Sequence, residues 1–286
     1  MKKYLSLVTF SHTIFAMPFA FIGFFLAINT TSNTFSWLKL GLMVSCMVFA
    51  RNAAMAFNRY LDRDIDAKNP RTMGRDIPAG KVSAQNALAF TIVNSLFFIA
   101  VTWLINPLCF YLSPIALLVI LGYSLTKRYT ALCHLVLGLG LSLAPIGAYL
   151  AVTGAFALLP ILFSLAVLCW VSGFDIIYAL QDEVFDSQEK LHSIPAYLGK
   201  NKALVVSNIL HVLSAIFISL PLFFTPLSWI YIIGLMIFIG MLIYQHLLVK
   251  PHDLSKVNFA FMTTNGIASV AFALCFLMDI YYRQHL

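Results

Sequence analysis

Nine long apolar runs, separated by short polar or Pro/Gly-containing breaks, dominate the chain and leave little room for any other organisation. They fall at about 10–28, 36–57, 84–105, 108–125, 132–152, 157–178, 203–224, 227–248 and 257–281. A bilayer core about 30 Å thick takes roughly 20 apolar residues per helix, so each run is long enough to span. The composition agrees: 61% of the 286 residues are hydrophobic and only 10% are charged, too little polar surface to coat a soluble globule of this size. The chain is therefore expected to be all-α, a polytopic membrane protein of about nine transmembrane helices. One transmembrane domain over 1–286 is expected, with loops at about 58–83, 126–131 and 179–202.

The basic residues orient the spans, because Lys and Arg are retained on the cytoplasmic side. With the N-terminus inside, the inner segments hold Lys2 and Lys3; Arg59, Arg63, Lys68, Arg71, Arg75 and Lys81; Lys127 and Arg128; Lys190, Lys200 and Lys202; and Lys250 and Lys256. The outer segments hold only Lys39 and Arg283. A cytoplasmic N-terminus follows, with the acidic loops forming a cap on that same side. The net charge of +7 then calls for no nucleic acid, since the asymmetry and an anionic lipid or substrate account for it. The first apolar run follows Lys2 and Lys3 but lacks a small-residue cleavage pattern, so a retained helix is expected. Cys46, Cys109, Cys133, Cys169 and Cys275 each sit alone in an apolar run, without metal or redox spacing.

Acidic residues are gathered in two places. Asn58, Asp62 and Asp66, in NRYLDRDID, are spaced i, i+4, i+8, so on one helix each step turns only about 40° and all three share a face. In DIIYALQDEVFD, Asp182 and Asp186 repeat the spacing, and Asp175 lies within about 20° of Asp182 on an ideal helix. Two facing ladders of carboxylates repel unless a cation lies between them. Oxygen ligands suit a hard divalent ion, usually Mg²⁺ completed by phosphates. Arg71, Arg75, Lys127 and Arg128 nearby point to a bridging anion such as a diphosphate. A single D-x-x-x-D reads more simply as solvated surface charge; two, on one side of the membrane, favour a site.

The sequence NRYLDRDIDAKNPRT, followed by RDIPAGKVS, resembles the first aspartate motif of the UbiA-type intramembrane prenyltransferases. YSLTKRYT is similar to their Y-x-x-x-K-R-x-T segment and DIIYALQDEVFD to their second aspartate motif. The resemblance runs over nearly the whole chain, and SHTIFAMPFA is most similar to the 4-hydroxybenzoate polyprenyltransferase branch. It implies Mg²⁺-dependent transfer of a polyprenyl group from polyprenyl diphosphate to a ring carbon of a small aromatic acid, in a bacterial inner membrane. Two Mg²⁺ ions bridged by diphosphate are implied, with Asp62, Asp66, Asp182 and Asp186 as ligands and Asn58 assisting. Lys127, Arg128 and Tyr123 match the family's diphosphate-binding segment.

Other assignments stay open at this level. Arg71 and Arg75 read either as diphosphate contacts or as topological charge. Arg51, costly inside a span, binds an acceptor carboxylate or snorkels to the inner interface. Asp175 positions the acceptor, acts as a base, or supports a neighbouring residue. Tyr178 is the aromatic face nominated to stabilise an allylic cation. His12 and Pro18 fit the branch pattern without a derived role. Ubiquinone synthesis from 4-hydroxybenzoate is the leading expectation; a naphthoate acceptor for menaquinone, or haem or chlorophyll prenylation, uses the same metal site. An ion-coupled transporter is the rival of a different class, although its acids would lie at the bilayer midplane rather than at helix ends. The D-G-x-x-A-R signature of CDP-alcohol phosphotransferases is absent.

Overall fold

A computed structural model describes residues 15–285, which are helical throughout apart from short connections and one isolated β-bridge. The helices are α1 (Met17–Thr30), α2 (Trp37–Leu61), α3 (Arg63–Lys68), α4 (Ala84–Ile105), α5 (Pro107–Thr126), α6 (Cys133–Thr153) and α7 (Leu158–Ala179). There follow α8 (Glu183–Gln188), α9 (Ile194–Ser219), α10 (Trp229–Leu248) and α11 (Val257–Gln284), the last containing a π-turn at Ala260–Thr264. Eight of these segments are long and apolar enough to cross a membrane. The first expected span is represented by α1, a shorter apolar helix; residues 10–14 of that span, with His12, lie outside the described residues.

The breaks in the apolar pattern are helix caps. Ser36, Ser83, Asn106, Ser193 and Ser228 each accept a hydrogen bond from a backbone N–H of the helix they precede, and Pro107 and Pro195 occupy first-turn positions. Each cap satisfies an end group that would otherwise be unpaired near the membrane boundary. One boundary differs from expectation. α9 begins at Ile194 rather than near 203, because a short first segment, Ile194–Leu198, is joined to the apolar shaft through a bend at Gly199 (φ +75°) and the polar Lys200, Asn201 and Lys202. Apolarity alone marks only the shaft.

The chain packs as two groups of helices about a central pair. α6 lies along α7; α2, α4 and α5 group on the α6 side; α9 follows α7 on the other, with α10 packed on α11 and α11 on α1. Close approach in the centre depends on small residues, as expected where lipid supplies no hydrophobic drive between helices. A methyl group on Gly23 of α1 would sit 2.0 Å from the Pro145 carbonyl oxygen of α6, and one on Gly138 of α6 would sit 2.2 Å from Ser172 Oγ of α7. Around them Trp170, fully buried, packs against Phe19 and Phe238, and its Nε1–H donates to Asn265 Oδ1 at 2.9 Å. Outward faces of α4 and α5 expose Leu96, Phe97, Ile115 and Leu118, the pattern of a lipid-facing surface.

Candidate active site

Both acidic clusters sit at helix ends on the same end of the bundle, and neither is a continuous helical ladder. α2 ends at Leu61. Asp62 (φ −86°, ψ 4°) serves as its C-cap and starts α3, with its own N–H on the Asn58 carbonyl at 2.9 Å. The turn is redirected at Asp62, yet Asn58, Asp62 and Asp66 all still line one cavity. Asn58 Nδ2 donates to Asp62 Oδ2 at 2.9 Å. The second cluster departs further from an ideal helix. α7 stops at Ala179, Leu180–Asp182 tighten into a 3₁₀ turn, and α8 starts afresh at Glu183. Asp175 and Asp182 line the cavity, whereas Asp186 is fully buried behind it. The 3₁₀ turn interrupts the helix between Asp175 and Asp182, whereas Asp186 follows Asp182 within the first turn of α8.

Four of these carboxylates each face one cation. Arg71 binds Asp182 through Nε at 2.9 Å to Oδ1 and through NH2 to Oδ2. Arg75 NH1 lies 2.6 Å from Asp66 Oδ1, and Lys127 Nζ lies 2.7 Å from Asp186 Oδ1. Arg128 NH2 donates to the Leu61 carbonyl at 2.7 Å and stands 3.5 Å from Asp62 Oδ1. Arg71, Arg75 and Lys127 line the cavity, whereas Arg128 braces the end of α2 from outside it. Arg71 and Arg75 are thus drawn onto the acids rather than spread over a solvated loop. Asn69 holds this loop: its Oδ1 accepts the Arg71 N–H at 2.9 Å and its Nδ2 donates to Asp182 Oδ1 at 3.1 Å.

Charge is not evenly compensated. Burial first, and then the Asp66 carboxylate, push the Asp62 carboxyl above its ordinary range, against the pull of Arg128, Lys127 and Arg75. Burial alone would lower Arg71, but its hydrogen bond and charge contact with Asp182 hold it above the ordinary guanidinium value. Asp66 Oδ2 is buried without a hydrogen-bond partner among the described residues. A disfavoured carboxylate and an orphan carboxylate oxygen, in an all-oxygen donor set with Asn58, fit a hard divalent cation. No three His, Cys, Asp or Glu among the described residues converge closely enough to hold an ion unaided. Further oxygens would have to come from a ligand, the usual pattern for Mg²⁺.

Below the charged mouth the cavity, of ≈ 860 Å³, runs between α2, α4, α5 and α6. Arg51 and Tyr123 line its upper part and Met43, Phe98, Leu150 and Ala151 its lower part. Arg51 faces the cavity rather than snorkelling away from it, while its neighbour Asn52 donates to Asn94 Oδ1 of α4 at 3.1 Å. From Asp62 to Met43 is roughly 28 Å at 1.5 Å per residue, most of a membrane thickness. Tyr178 lines the mouth, but its face is shared. The Arg71 guanidinium carbon lies 5.2 Å from the ring centroid, the hydroxyl accepts from Arg71 NH1 at 3.0 Å, and the Phe261 ring is 4.3 Å away.

Two participants carry no signal in the motifs. Asn69 precedes Pro70 in a stretch where only the arginines stood out, although Asn before Pro is a turn signal. His134, at the start of α6, places Nδ1 2.7 Å from Asp175 Oδ2, a contact between residues far apart in sequence.

The model of the UbiA prenyltransferase family matches residues 16–276 of the chain. The 4-hydroxybenzoate octaprenyltransferase of Tolumonas auensis is 30% identical over 236 residues, 82% of each chain. Among solved structures, the apo form of a UbiA homologue from Aeropyrum pernix K1 superposes with a TM-score of 0.81 at 30% identity, over 96% of this chain and 98% of that one. A UbiA homologue from Archaeoglobus fulgidus, bound to DMAPP and Mg²⁺, shares the fold with a TM-score of 0.76 at 21% identity, over 98% and 99% of the two chains.

Proposed function

This chain belongs to the UbiA prenyltransferase family, and we propose that it transfers a polyprenyl group from polyprenyl diphosphate to a ring carbon of 4-hydroxybenzoate, in ubiquinone synthesis, with Mg²⁺ as cofactor. The observation that carries this reading is the pairing of Asp62, Asp66, Asp182 and Asp186 with four cations above a deep apolar cavity. The name of the Tolumonas relative supports the acceptor, and the DMAPP and Mg²⁺ of the Archaeoglobus homologue support the donor and metal.

Asp62 and Asp66, with Asn58, would hold Mg²⁺ on one side of the mouth and Asp182 on the other, with Asp186, behind the lining on Lys127, joining Asp182 once Lys127 turns to the diphosphate. Bound there, the metal neutralises the charge that develops on the leaving diphosphate. The cations have a complementary role. Arg71, Arg75, Lys127 and Arg128 balance the carboxylates in the free enzyme and turn to the diphosphate oxygens when substrate arrives. Tyr123 completes that anion site.

The allylic C–O bond breaks with its electron pair passing to the diphosphate. The acceptor ring supplies the pair for the new C–C bond, then loses a ring proton to restore aromaticity. Arg51 receives the acceptor carboxylate and Asp175 faces its phenol. Tyr178, with Phe261 behind it, offers the aromatic wall that shields the allylic cation from water. The isoprenoid tail lies in the cavity between α2, α4, α5 and α6. In this reading the charged mouth opens to the cytoplasmic side, which the positive-inside distribution of Lys and Arg supports.

Membranes containing the chain, given radiolabelled polyprenyl diphosphate, Mg²⁺ and either 4-hydroxybenzoate or a dihydroxynaphthoate, test this directly. Labelled prenyl-hydroxybenzoate is expected. Product only with the naphthoate would move the enzyme to menaquinone synthesis, and no product with either would remove the reading.

A further inference from the structure

Asp175 differs from every other acid of the site in its partner. Asp62, Asp66, Asp182 and Asp186 each face a Lys or Arg, whereas the hydrogen-bond and ion-pair partner of Asp175 among the described residues is His134, Nδ1 to Oδ2 at 2.7 Å. The second ring nitrogen of His134 is also committed. His134 Nε2 stands 3.3 Å from the backbone N of Ile194, the first residue of α9, and that N–H can only donate. Nε2 must then be the acceptor, which leaves the proton on Nδ1 and directs it at Asp175. His134 itself is buried, so this arrangement is not averaged by solvent.

Three elements meet in this contact. α6 supplies His134, α7 supplies Asp175, and the start of α9 fixes the tautomer. The segment joining α7 to α9 carries Asp182 and Asp186, so the acid that faces the acceptor is tied to the strand of chain that bears the second acidic cluster. Asp175 and His134 both line the cavity, with Tyr178 and Tyr123 close by in the same wall.

We propose that His134 is a positioning residue: through Nδ1–H it fixes the Asp175 carboxylate so that the remaining oxygen accepts the phenol O–H of the aromatic acceptor. This rests on the prenyl-transfer reading above. Asp175 held in one rotamer presents a single acceptor oxygen, and the acceptor ring is then presented in one orientation to the allylic carbon. The diphosphate site, built on other residues, is untouched by the contact.

Steady-state kinetics of the full-length protein in lipid nanodiscs, with Mg²⁺, polyprenyl diphosphate and 4-hydroxybenzoate, test the proposal with H134L, H134Q, D175N and the H134L/D175N double variant. For H134L the KM for 4-hydroxybenzoate should rise roughly tenfold to a hundredfold, with the KM for polyprenyl diphosphate unchanged, because one hydrogen bond to a charged group is lost. H134Q, whose amide both donates and accepts, should recover most of that loss. The double variant should be no worse than D175N, since His134 acts only through the Asp175 carboxylate, which D175N already removes. If H134L folds poorly, H134F, which keeps a planar ring but removes both ring nitrogens, is read in the same way under a thermal-melt control. An unchanged acceptor KM in H134L, or equal rises for both substrates, or additive losses in the double variant, would overturn the positioning role. Absence of product from the wild type would instead remove the underlying function.

Discussion

Arg71 and Asp182, 111 residues apart, are joined along one side of the guanidinium, Nε at 2.9 Å to one carboxylate oxygen and NH2 to the other. This fork links the loop after α3 to the turn after α7, and Asn69 secures it from the loop side. In the proposed cycle it is the contact that must open for Asp182 to meet a metal and Arg71 to meet a diphosphate.

Arg71→Lys keeps the charge but loses the planar fork and the contact with Tyr178. The KM for polyprenyl diphosphate is expected to rise about tenfold, with the KM for 4-hydroxybenzoate little changed. Steady-state kinetics with each substrate varied in turn read the difference.

Asp62→Ala and Asp182→Ala each remove a proposed metal ligand at a helix end, away from the apolar shafts that set insertion. Turnover should fall at least about 10²-fold in each, with membrane-integrated protein at wild-type level on an immunoblot. Retained activity in either variant would take that residue out of the metal site.

The apolar cavity gives a test of tail placement. Gly140 and Gly147 of α6 lie seven residues apart, both line the cavity, and a methyl group on either would meet nothing within 4 Å. Gly147→Leu therefore starts its side chain in open cavity space and replaces a poor helix former by a good one. Transfer from long polyprenyl diphosphates should fall roughly tenfold or more, while dimethylallyl or geranyl diphosphate is still used and the thermal midpoint does not drop. Equal loss with short and long donors would place the tail elsewhere.

Much of the architecture is readable from local pattern. Apolar run length depends only on bilayer thickness, and the residues breaking the runs, such as Ser83, Asn106 and Ser228, are the ones that cap helices. The start of α9 is missed because Gly199 permits a bend that hydropathy does not register. Spacing brings Asn58, Asp62 and Asp66 along one cavity, since i+4 repeats survive a modest redirection of the chain. Asp186 keeps the same spacing from Asp182 but is buried against Lys127, a partner that no spacing encodes. His134 and Asn69 are missed for another reason. Their significance lies in contacts with Asp175 and Asp182, and no periodicity within one segment encodes a partner in a different segment.

In the proposed enzyme the two acidic clusters hold divalent cations around a diphosphate. The most direct measurement is anomalous diffraction from crystals of the protein grown with Mn²⁺ and a non-hydrolysable prenyl thiodiphosphate. Anomalous peaks are expected within coordination distance of Asp62 or Asp66 on one side and Asp182 on the other, with the diphosphate between them and Arg71 turned toward it. A diphosphate held by Arg71, Arg75 and Lys127 with no metal peak at either cluster would contradict the account.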